Sequence, residues 1–196
     1  QDRDVPSLKD SIKIPLNFEI AGTEAMIRLA QQIMPHAVTL VPEKREERTT
    51  EGGLDVAGQM RDLKPKIARL KDCGILVSLF IEPEDHAIEV SAELGADAVE
   101  FHTGSWCHQM AACRRTREQV ALTAKLNHAS ALAHRLGLQA HFGHGLNYTN
   151  AMWLQHVEHA EEANIGHAIV ARALFTGLKE AVQNMKELLN DPRHRP

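Results

Sequence analysis

The chain contains 196 residues, of which 43% are hydrophobic and 24% are charged, as is typical of a globular domain long enough to bury one core. Its formal net charge of -4 argues against a nucleic-acid-binding surface. No apolar run approaches the ~20 residues of a membrane span, and the first residues show no signal-peptide pattern. We therefore expect a single cytoplasmic domain over residues 1–196, without nucleic acid or membrane partners.

Apolar runs alternate with amphipathic segments along the chain. The runs predict six β-strands, at residues 15–20, 37–41, 75–81, 98–102, 138–142 and 164–170. Helical spacing of apolar residues predicts helices between and after them, the last over residues 173–189. Thr23 caps one helix, which stops at Pro35, and Gly74, Gly95 and Gly137 end three others.

Alternating strands and helices without hairpin signals predict an α/β fold with a parallel sheet. Two architectures fit this pattern, an open doubly wound sheet and a (β/α)8 TIM barrel. A barrel typically takes ~250 residues, which is about two βα units more than this chain supplies. As a barrel, the chain is therefore expected to lack its first two βα units.

In both architectures ligands bind at the carboxyl ends of the strands. The second predicted strand is followed there by a loop that contains Thr49 and Thr50 and a Gly52-Gly53 pair. Hydroxyl groups and closely approaching backbone amides suit an anionic or hydroxyl-bearing ligand. A solvated charged loop with a Gly-Gly turn is the alternative interpretation.

Carboxylate and imidazole groups stand on two of the strands. Glu19 lies between Phe18 and Ile20, where burial would favour a general acid/base role, although it could equally face solvent at a strand end. Glu100 and His102 alternate with apolar residues and so share one face of their strand. They either transfer protons in catalysis or form a buried, hydrogen-bonded pair with a structural role.

Two histidines stand beside glycines at the last two predicted strands. His144 lies between Gly143 and Gly145, which let the backbone approach a ligand. Gly166 and His167 open a helix, as in the phosphate sites that many barrels place there. A tight turn between strand and helix is the alternative for the second pair.

Metal ligation is not predicted, although the chain has 12 histidines. His156 and His159 are three residues apart, and Cys107 and Cys113 flank His108, but neither set matches a zinc-site spacing. The chain's three cysteines follow no disulfide pattern, which favours a reducing compartment.

The strings NFEI, LVPEKREERTTEGGLDVAGQ, VSLFIE, VEFHTG, GHGLNY and NIGHAIVARALFTGL resemble the pyridoxine 5'-phosphate synthase family, which catalyses the last step of the deoxyxylulose-dependent vitamin B6 pathway. The resemblance implies a (β/α)8 barrel, commonly a homo-octamer, that needs no metal or organic cofactor. It implies condensation of 3-amino-2-oxopropyl phosphate with 1-deoxy-D-xylulose 5-phosphate, with release of inorganic phosphate and water.

The same resemblance assigns roles to residues by motif. Glu19 of NFEI matches a general acid/base, His144 of GHG matches the proton donor, and Glu100 of VEFHTG matches an acidic residue of the active site. The matching substrate-binding positions are Thr49, Gly145, Gly166 and His167, the last two for a substrate phosphate.

The sequence also departs from the family pattern. The family carries two further N-terminal strands, with a catalytic histidine upstream of the Asp-Arg-Asp at residues 2–4. We expect the complete gene product to be active and this chain alone to be inactive and prone to aggregate at its open strand edges. The family commonly reads Asn-Ala where this chain has His141-Phe142, and a bulky Phe142 is expected to alter packing beneath the site.

Two other functions are compatible with the residues alone. One is a sugar-phosphate isomerase or aldolase, although no lysine occupies the strand ends as a class I aldolase would require. The other is a non-catalytic module that binds phosphorylated metabolites.

Overall fold

A computed structural model describes residues 3–43 and 52–190 of the chain. Six parallel strands form one sheet, whose order follows the chain from β1 to β6. The strands are β1 (Asn17–Ala21), β2 (Ala37–Val41), β3 (Leu76–Ile81), β4 (Ala98–His102), β5 (Gln139–Gly143) and β6 (Ala160–Asn164). A doubly wound sheet reverses its strand order at a switch point. This sheet never reverses and curls as part of a barrel wall, which confirms the prediction of a partial (β/α)8 barrel.

Helices connect the strands. They are α1 (Asp4–Ser11), α2 (Glu24–Ile33), α3 (Met60–Asp72), α4 (Asp85–Glu93), α5 (Gly104–Ala112), α6 (Thr116–Arg135), a 3-10 helix (Ala151–His156), α7 (His167–Thr176) and α8 (Leu178–Asn190). Thr23 caps α2 by accepting a hydrogen bond from the backbone N–H of Met26, as predicted. Gly74, Gly95 and Gly137 each have a positive φ just beyond a helix, which only glycine adopts readily.

The two faces of the sheet differ in polarity because side chains alternate along each strand. The outer face packs against the helices and carries Ile20, Val38, Leu40, Val77, Leu79, Val99, Phe101 and Phe142, which belong to the buried core. The register of the strands places Glu19 beside Thr39 and Glu100 beside His141 on the opposite, inner face. Polar groups therefore line the concave side of the sheet.

The prediction of the last strand at residues 164–170 is wrong. β6 ends at Asn164, and α7 already begins at His167. The β6 segment reads AEEAN, without a large apolar side chain, so hydrophobic patterning did not mark it. It is a strand because it pairs with β5 through the backbone. The predicted final helix is also divided, since Gly177 with a φ of 82° separates α7 from α8.

Among the described residues, β1 and β6 each pair with one neighbouring strand. Next to β6, the apolar helix α7 buries none of its residues, and Leu174 and Phe175 are 83% and 89% exposed. No helix within the described part of the chain is long and apolar enough to cross a membrane.

Candidate active site at the carboxyl ends of the strands

A cleft of about 670 Å³ opens at the carboxyl ends of the strands. Six of the seven residues predicted for the site line it, namely Glu19, Glu100, His144, Gly145, Gly166 and His167. The seventh, Thr49, lies outside the described residues. Because the sheet curls, β1 and the loop after β6 contribute to the same cleft although four strands lie between them.

Glu100 is the buried acid of the cleft, only 5% exposed. Burial, aided by the nearby negative charges of Glu19 and Glu162 and opposed by a hydrogen bond from Asn164, raises the pKa of the Glu100 carboxyl group to about 7. Nδ2 of Asn164 donates that hydrogen bond to Oε2 of Glu100 over 2.7 Å. At neutral pH both protonation states of Glu100 are therefore populated, as proton transfer requires.

Gly143 provides the space that Glu100 occupies. A Cβ atom at position 143 would lie 1.8 Å from Oε1 of Glu100 and 2.9 Å from its Cδ. Any side chain at this position of β5 would displace the carboxyl group. The first glycine of the Gly-His-Gly string thus makes room for the Glu100 carboxyl group, and the predicted approach of a ligand to the backbone here stays a prediction.

His144 stands at the mouth of the cleft in an unusual backbone conformation, with a φ of 74°. Its backbone is held by Thr103, which is fully buried. The Thr103 hydroxyl group lies 2.6 Å from the carbonyl oxygen of His144 and 2.9 Å from that of Gly143. The Thr103 backbone N–H also donates to the Gly143 carbonyl oxygen over 2.8 Å. The turn after β5 is therefore anchored to the end of β4.

Glu19 is exposed on the inner face of β1 and lines the cleft. The sequence left two positions open for this carboxylate, a buried one suggested by its apolar neighbours and an exposed one at a strand end, and the exposed one is found. Those neighbours point to the other face, where Ile20 joins the core. The buried carboxyl group is that of Glu100. Glu19 and Glu100 nevertheless line the same cleft.

The N-terminus of α7 forms another wall of the cleft. Gly166 is the N-cap residue and has no side chain to satisfy the first N–H groups of the helix. The first intrahelical hydrogen bond runs from Val170 N–H to the Gly166 carbonyl oxygen, so the N–H groups of His167 and Ala168 remain available to a ligand. Such an end favours anions through its partial positive charge.

Three residues of this region were not predicted from the sequence as members of the site. Asn164 and Phe80 line the cleft, and Glu82 receives a hydrogen bond from Nδ1 of His102 over 2.7 Å. Glu100 and His102 share a face, as predicted, but each binds a different partner. Asn164 begins the NIGHAI string, and Glu82 ends VSLFIE, so their positions at strand ends were the available signal.

Phe142 does not reach the cleft. It is fully buried on the outer face of β5, and its ring centroid lies 5.5 Å from that of Phe101. The neighbouring His141 faces inward, with Nδ1 3.9 Å from Oε1 of Glu162. The effect of Phe142 on the packing beneath the site or on the channel that admits water therefore stays a prediction.

Neither of the histidine and cysteine sets that were weighed as metal ligands lies at the cleft. His159 stacks on His134 with ring centroids 3.7 Å apart, and Cys107 packs behind Gly145. Burial raises the pKa of the Cys107 thiol to about 11, which keeps it protonated. Residues 3–43 and 52–190 contain no group of three or more His, Cys, Asp and Glu side chains that could hold a metal ion.

Comparison with known families gives a match over residues 1–191 to the family described as pyridoxal phosphate biosynthesis protein PdxJ. The chain belongs to this family. A pyridoxine 5'-phosphate synthase from Synechococcus sp. (strain WH7803) is 47% identical over 196 residues, which cover 100% of this chain and 77% of that protein. The synthase from Xanthobacter autotrophicus is 47% identical over 95% of this chain and 72% of its own length. The resemblance read from the motifs is confirmed, and it places the chain in a family of enzymes.

Solved structures of other proteins share the fold of this PdxJ-family chain. A 3-keto-L-gulonate-6-phosphate decarboxylase from Vibrio cholerae superposes with a TM-score of 0.64 at 14% identity, over 100% of this chain and 80% of its own. A flavocytochrome b2 with sulfite bound gives a TM-score of 0.60 at 11% identity, over 99% of this chain and 52% of its own. At these identities the likeness concerns the fold alone.

Proposed function

We propose that the protein is a pyridoxine 5'-phosphate synthase that condenses 3-amino-2-oxopropyl phosphate with 1-deoxy-D-xylulose 5-phosphate and releases inorganic phosphate and water. One observation carries the proposal. Glu19, Glu100 and His144 come from three separate strands and meet at one cleft beside the N-terminus of α7. Membership of the PdxJ family supports the same reaction.

The condensation forms an imine, eliminates phosphate and closes a ring, and each of these steps moves protons. A group transfers protons well when its pKa lies near the working pH. Glu100, with a pKa of about 7, meets that condition on the closed side of the cleft. Glu19 acts as a general acid/base from the opposite wall, and His144 donates a proton at the mouth. No metal or organic cofactor takes part.

The N–H groups at Gly166 and His167 bind the phosphate group of one substrate, with the helix dipole of α7 contributing attraction. Gly145, which lines the cleft beside His144, contacts the second substrate through its backbone. A side chain at this position would lie 3.1 Å from Cβ of Cys107 and would be strained at a φ of 80°. Thr49 is the proposed hydroxyl contact for that substrate.

The experiment is a turnover assay of the complete gene product with both substrates, which monitors pyridoxine 5'-phosphate and inorganic phosphate together. Glu19→Gln and His144→Asn are expected to abolish turnover, because each removes an acid/base group and keeps its approximate shape. Binding of each phosphorylated substrate, measured by calorimetry, should persist in both variants. If turnover survives both changes, Glu19 and His144 do not carry the acid/base chemistry proposed for them. If the unsubstituted protein binds both substrates and forms no product, it is a binding module and the proposal fails.

A sugar-phosphate aldolase that acts through a lysine Schiff base is the other enzyme class to be tested. No lysine lines the cleft among the described residues, which weighs against it. Borohydride in the presence of either substrate should therefore leave the mass of the protein unchanged.

We also propose that the protein assembles into a homo-oligomer, an octamer as in the family, in the cytoplasm. The exposed apolar side chains of α7, such as Leu174 and Phe175, support assembly, since patches of this kind often mark protein interfaces. Cys73, Cys107 and Cys113 are all free thiols, as in reducing compartments. Sedimentation of the complete gene product tests the oligomeric state.

A further inference from the structure

Behind His144 lies a second imidazole that the proposed chemistry does not use. His102, the last residue of β4, is 8% exposed. Its ring centroid lies 4.8 Å from that of His144 and 5.3 Å from that of Phe80. His102 therefore packs against both His144 and Phe80, and it is not part of the cleft lining.

The orientation of the His102 ring is set by Glu82. Nδ1 of His102 lies 2.7 Å from Oε1 of Glu82. Burial of the Glu82 carboxyl group acts to raise its pKa, but the hydrogen bond from His102, the attraction of that imidazole and the Gly53 N–H outweigh it, so the pKa lies below its ordinary value. An ionised carboxylate only accepts hydrogen bonds. The proton of a neutral His102 thus resides on Nδ1 and leaves Nε2 as an acceptor.

Nε2 of His102 has no hydrogen-bond partner although it is buried. A Cβ atom at Gly104 would lie 2.8 Å from this Nε2 atom and 3.0 Å from Cδ2 of His144. The two imidazoles therefore converge on the space that Gly104 leaves open. Buried polar atoms without partners are uncommon in native proteins and call for an explanation.

Glu82 also holds the chain that follows the Thr49 loop. The Gly53 N–H donates to the same Oε1 atom over 3.1 Å. A Cβ atom at Gly53 would lie 2.4 Å from the backbone nitrogen of Glu82, so this segment lies directly against the end of β3. One carboxylate thus contacts both His102 and the backbone beside a proposed substrate loop.

We propose that Glu82 and His102 form a positioning pair that holds the His144 imidazole in place for proton transfer. The pair fixes the ring by packing and presents an acceptor nitrogen next to it, without touching substrate. This inference rests on the proposed function, because it takes His144 as the proton donor. It extends that function to two residues that lie outside the cleft lining.

The kinetic test uses Glu82→Gln, His102→Gln and the double variant in the complete gene product. Each single change is expected to lower kcat about 10- to 100-fold, with KM within about twofold, as loss of a supporting hydrogen bond does in other sites. Because Glu82 and His102 act through one hydrogen bond, kcat of the double variant should be no lower than kcat of the worse single variant. The proposal is refuted if the losses in kcat add up in the double variant, or if kcat of the single variants stays within about twofold of the parent.

The matched control is His128→Gln. His128 forms a His–carboxylate contact of similar length, 2.9 Å from Nε2 to Oδ1 of Asp85, on the exposed surface. Its replacement should leave kcat and KM unchanged. Thermal unfolding of all four variants shows whether a loss of kcat reflects a loss of folded protein. Glu82→Gln should keep the unfolding midpoint of the parent because Glu82 is half-exposed, whereas His102→Gln changes a buried side chain.

Nitrogen-15 spectra of histidine-labelled protein test the pair without any turnover. In the parent, the neutral form of His102 should carry its proton on Nδ1. In Glu82→Gln that preference should weaken, and the ring signals of His144 should move, whereas His128→Gln should change neither. If the parent forms no product from the two substrates, the proposed function fails. The spectra then still show whether Glu82 and His102 position the His144 ring. His144 signals that do not respond to Glu82→Gln would refute it.

Discussion

Glu100 and Asn164 are joined by a hydrogen bond of 2.7 Å that links β4 to the end of β6 across the intervening strand β5. The bond fixes a carboxyl group whose neighbours in the strand register are Phe80 and His141 and which lies near the negative charges of Glu19 and Glu162. It keeps the pKa of Glu100 from rising further than about 7.

Replacement of Glu100 by glutamine should change how stability depends on pH. The pKa of this carboxyl group is about 7 in the folded protein against an ordinary value of 4.5. Between these values the folded state keeps a proton that the unfolded chain has lost, so the free energy of unfolding falls as pH rises through this window. Glu100→Gln should remove that fall and be more stable than the parent at pH 8 by up to about 3 kcal/mol.

Urea unfolding at pH 4 and pH 8 measures this difference. At pH 4 the two proteins should have similar stability, because Glu100 is protonated in both the folded and unfolded states. A parent that is no less stable at pH 8 than the variant contradicts the assignment of a raised pKa.

Two substitutions around Glu100 should move its pKa in opposite directions. Asn164→Ala removes a donor that favours the carboxylate, so the pKa should rise. Glu19→Gln removes a nearby negative charge that disfavours the carboxylate, so the pKa should fall. Carbon-13 titration of the Glu100 carboxyl signal measures both shifts independently of activity. Shifts of the same sign would rule out this electrostatic picture.

Gly143→Ala should displace the Glu100 side chain. The new Cβ would lie 1.8 Å from Oε1 of Glu100, so the carboxyl group must leave its position and lose the Asn164 hydrogen bond. We expect kcat to fall by at least about 100-fold, since misplacement of an acid/base group by about 1 Å has effects of that size. Gly22→Ala is the control, because its Cβ would meet only Leu63 at an ordinary 3.6 Å.

Thr103→Val should separate stability from catalysis. The change deletes the hydroxyl group that contacts the carbonyl oxygens of Gly143 and His144 and should cost about 1–3 kcal/mol of unfolding free energy. It should also lower kcat, because the backbone of His144 loses its anchor. Thr123→Val removes a similarly buried hydroxyl group that bonds Gln119 on α6. This control should lose stability and keep the kcat of the remaining folded protein.

Polar substitutions on α7 should leave the stability of the monomer unchanged. Leu174→Ser and Phe175→Ser remove side chains that are 83% and 89% exposed, so the free energy of unfolding should change by less than about 0.5 kcal/mol. By contrast, Phe142→Ala in the core should cost about 3–5 kcal/mol. Chemical unfolding at low protein concentration measures the free energy of unfolding of the α7 variants and of Phe142→Ala. A large loss from the α7 changes would mean that this helix is packed in solution.

The strands β1 to β5 could be predicted because each carries apolar side chains on the outer face that the helices cover. β6 could not, since Ala160–Asn164 contributes backbone pairing and little apolar surface. Helix α5 was missed for a related reason. It starts at Gly104, the last residue of the VEFHTG string, which was interpreted as the end of a strand. Its apolar face became evident only in the structure, where Trp106 and Met110 are buried.

The order of residues along the chain determined the family, the alternation of strands and helices, and which side chains stand at strand ends, because these depend on local pattern and motif. The tertiary structure decided which carboxyl group is buried. Glu19 and Glu100 both follow apolar residues in sequence. Among the described strands, β4 with Glu100 lies between two neighbours, whereas β1 with Glu19 has one. Glu100 also packs against Gly143 and Asn164. Burial and charge at a residue depend on groups that the fold brings from distant positions, and so does the contact of Glu82 and His102 behind His144.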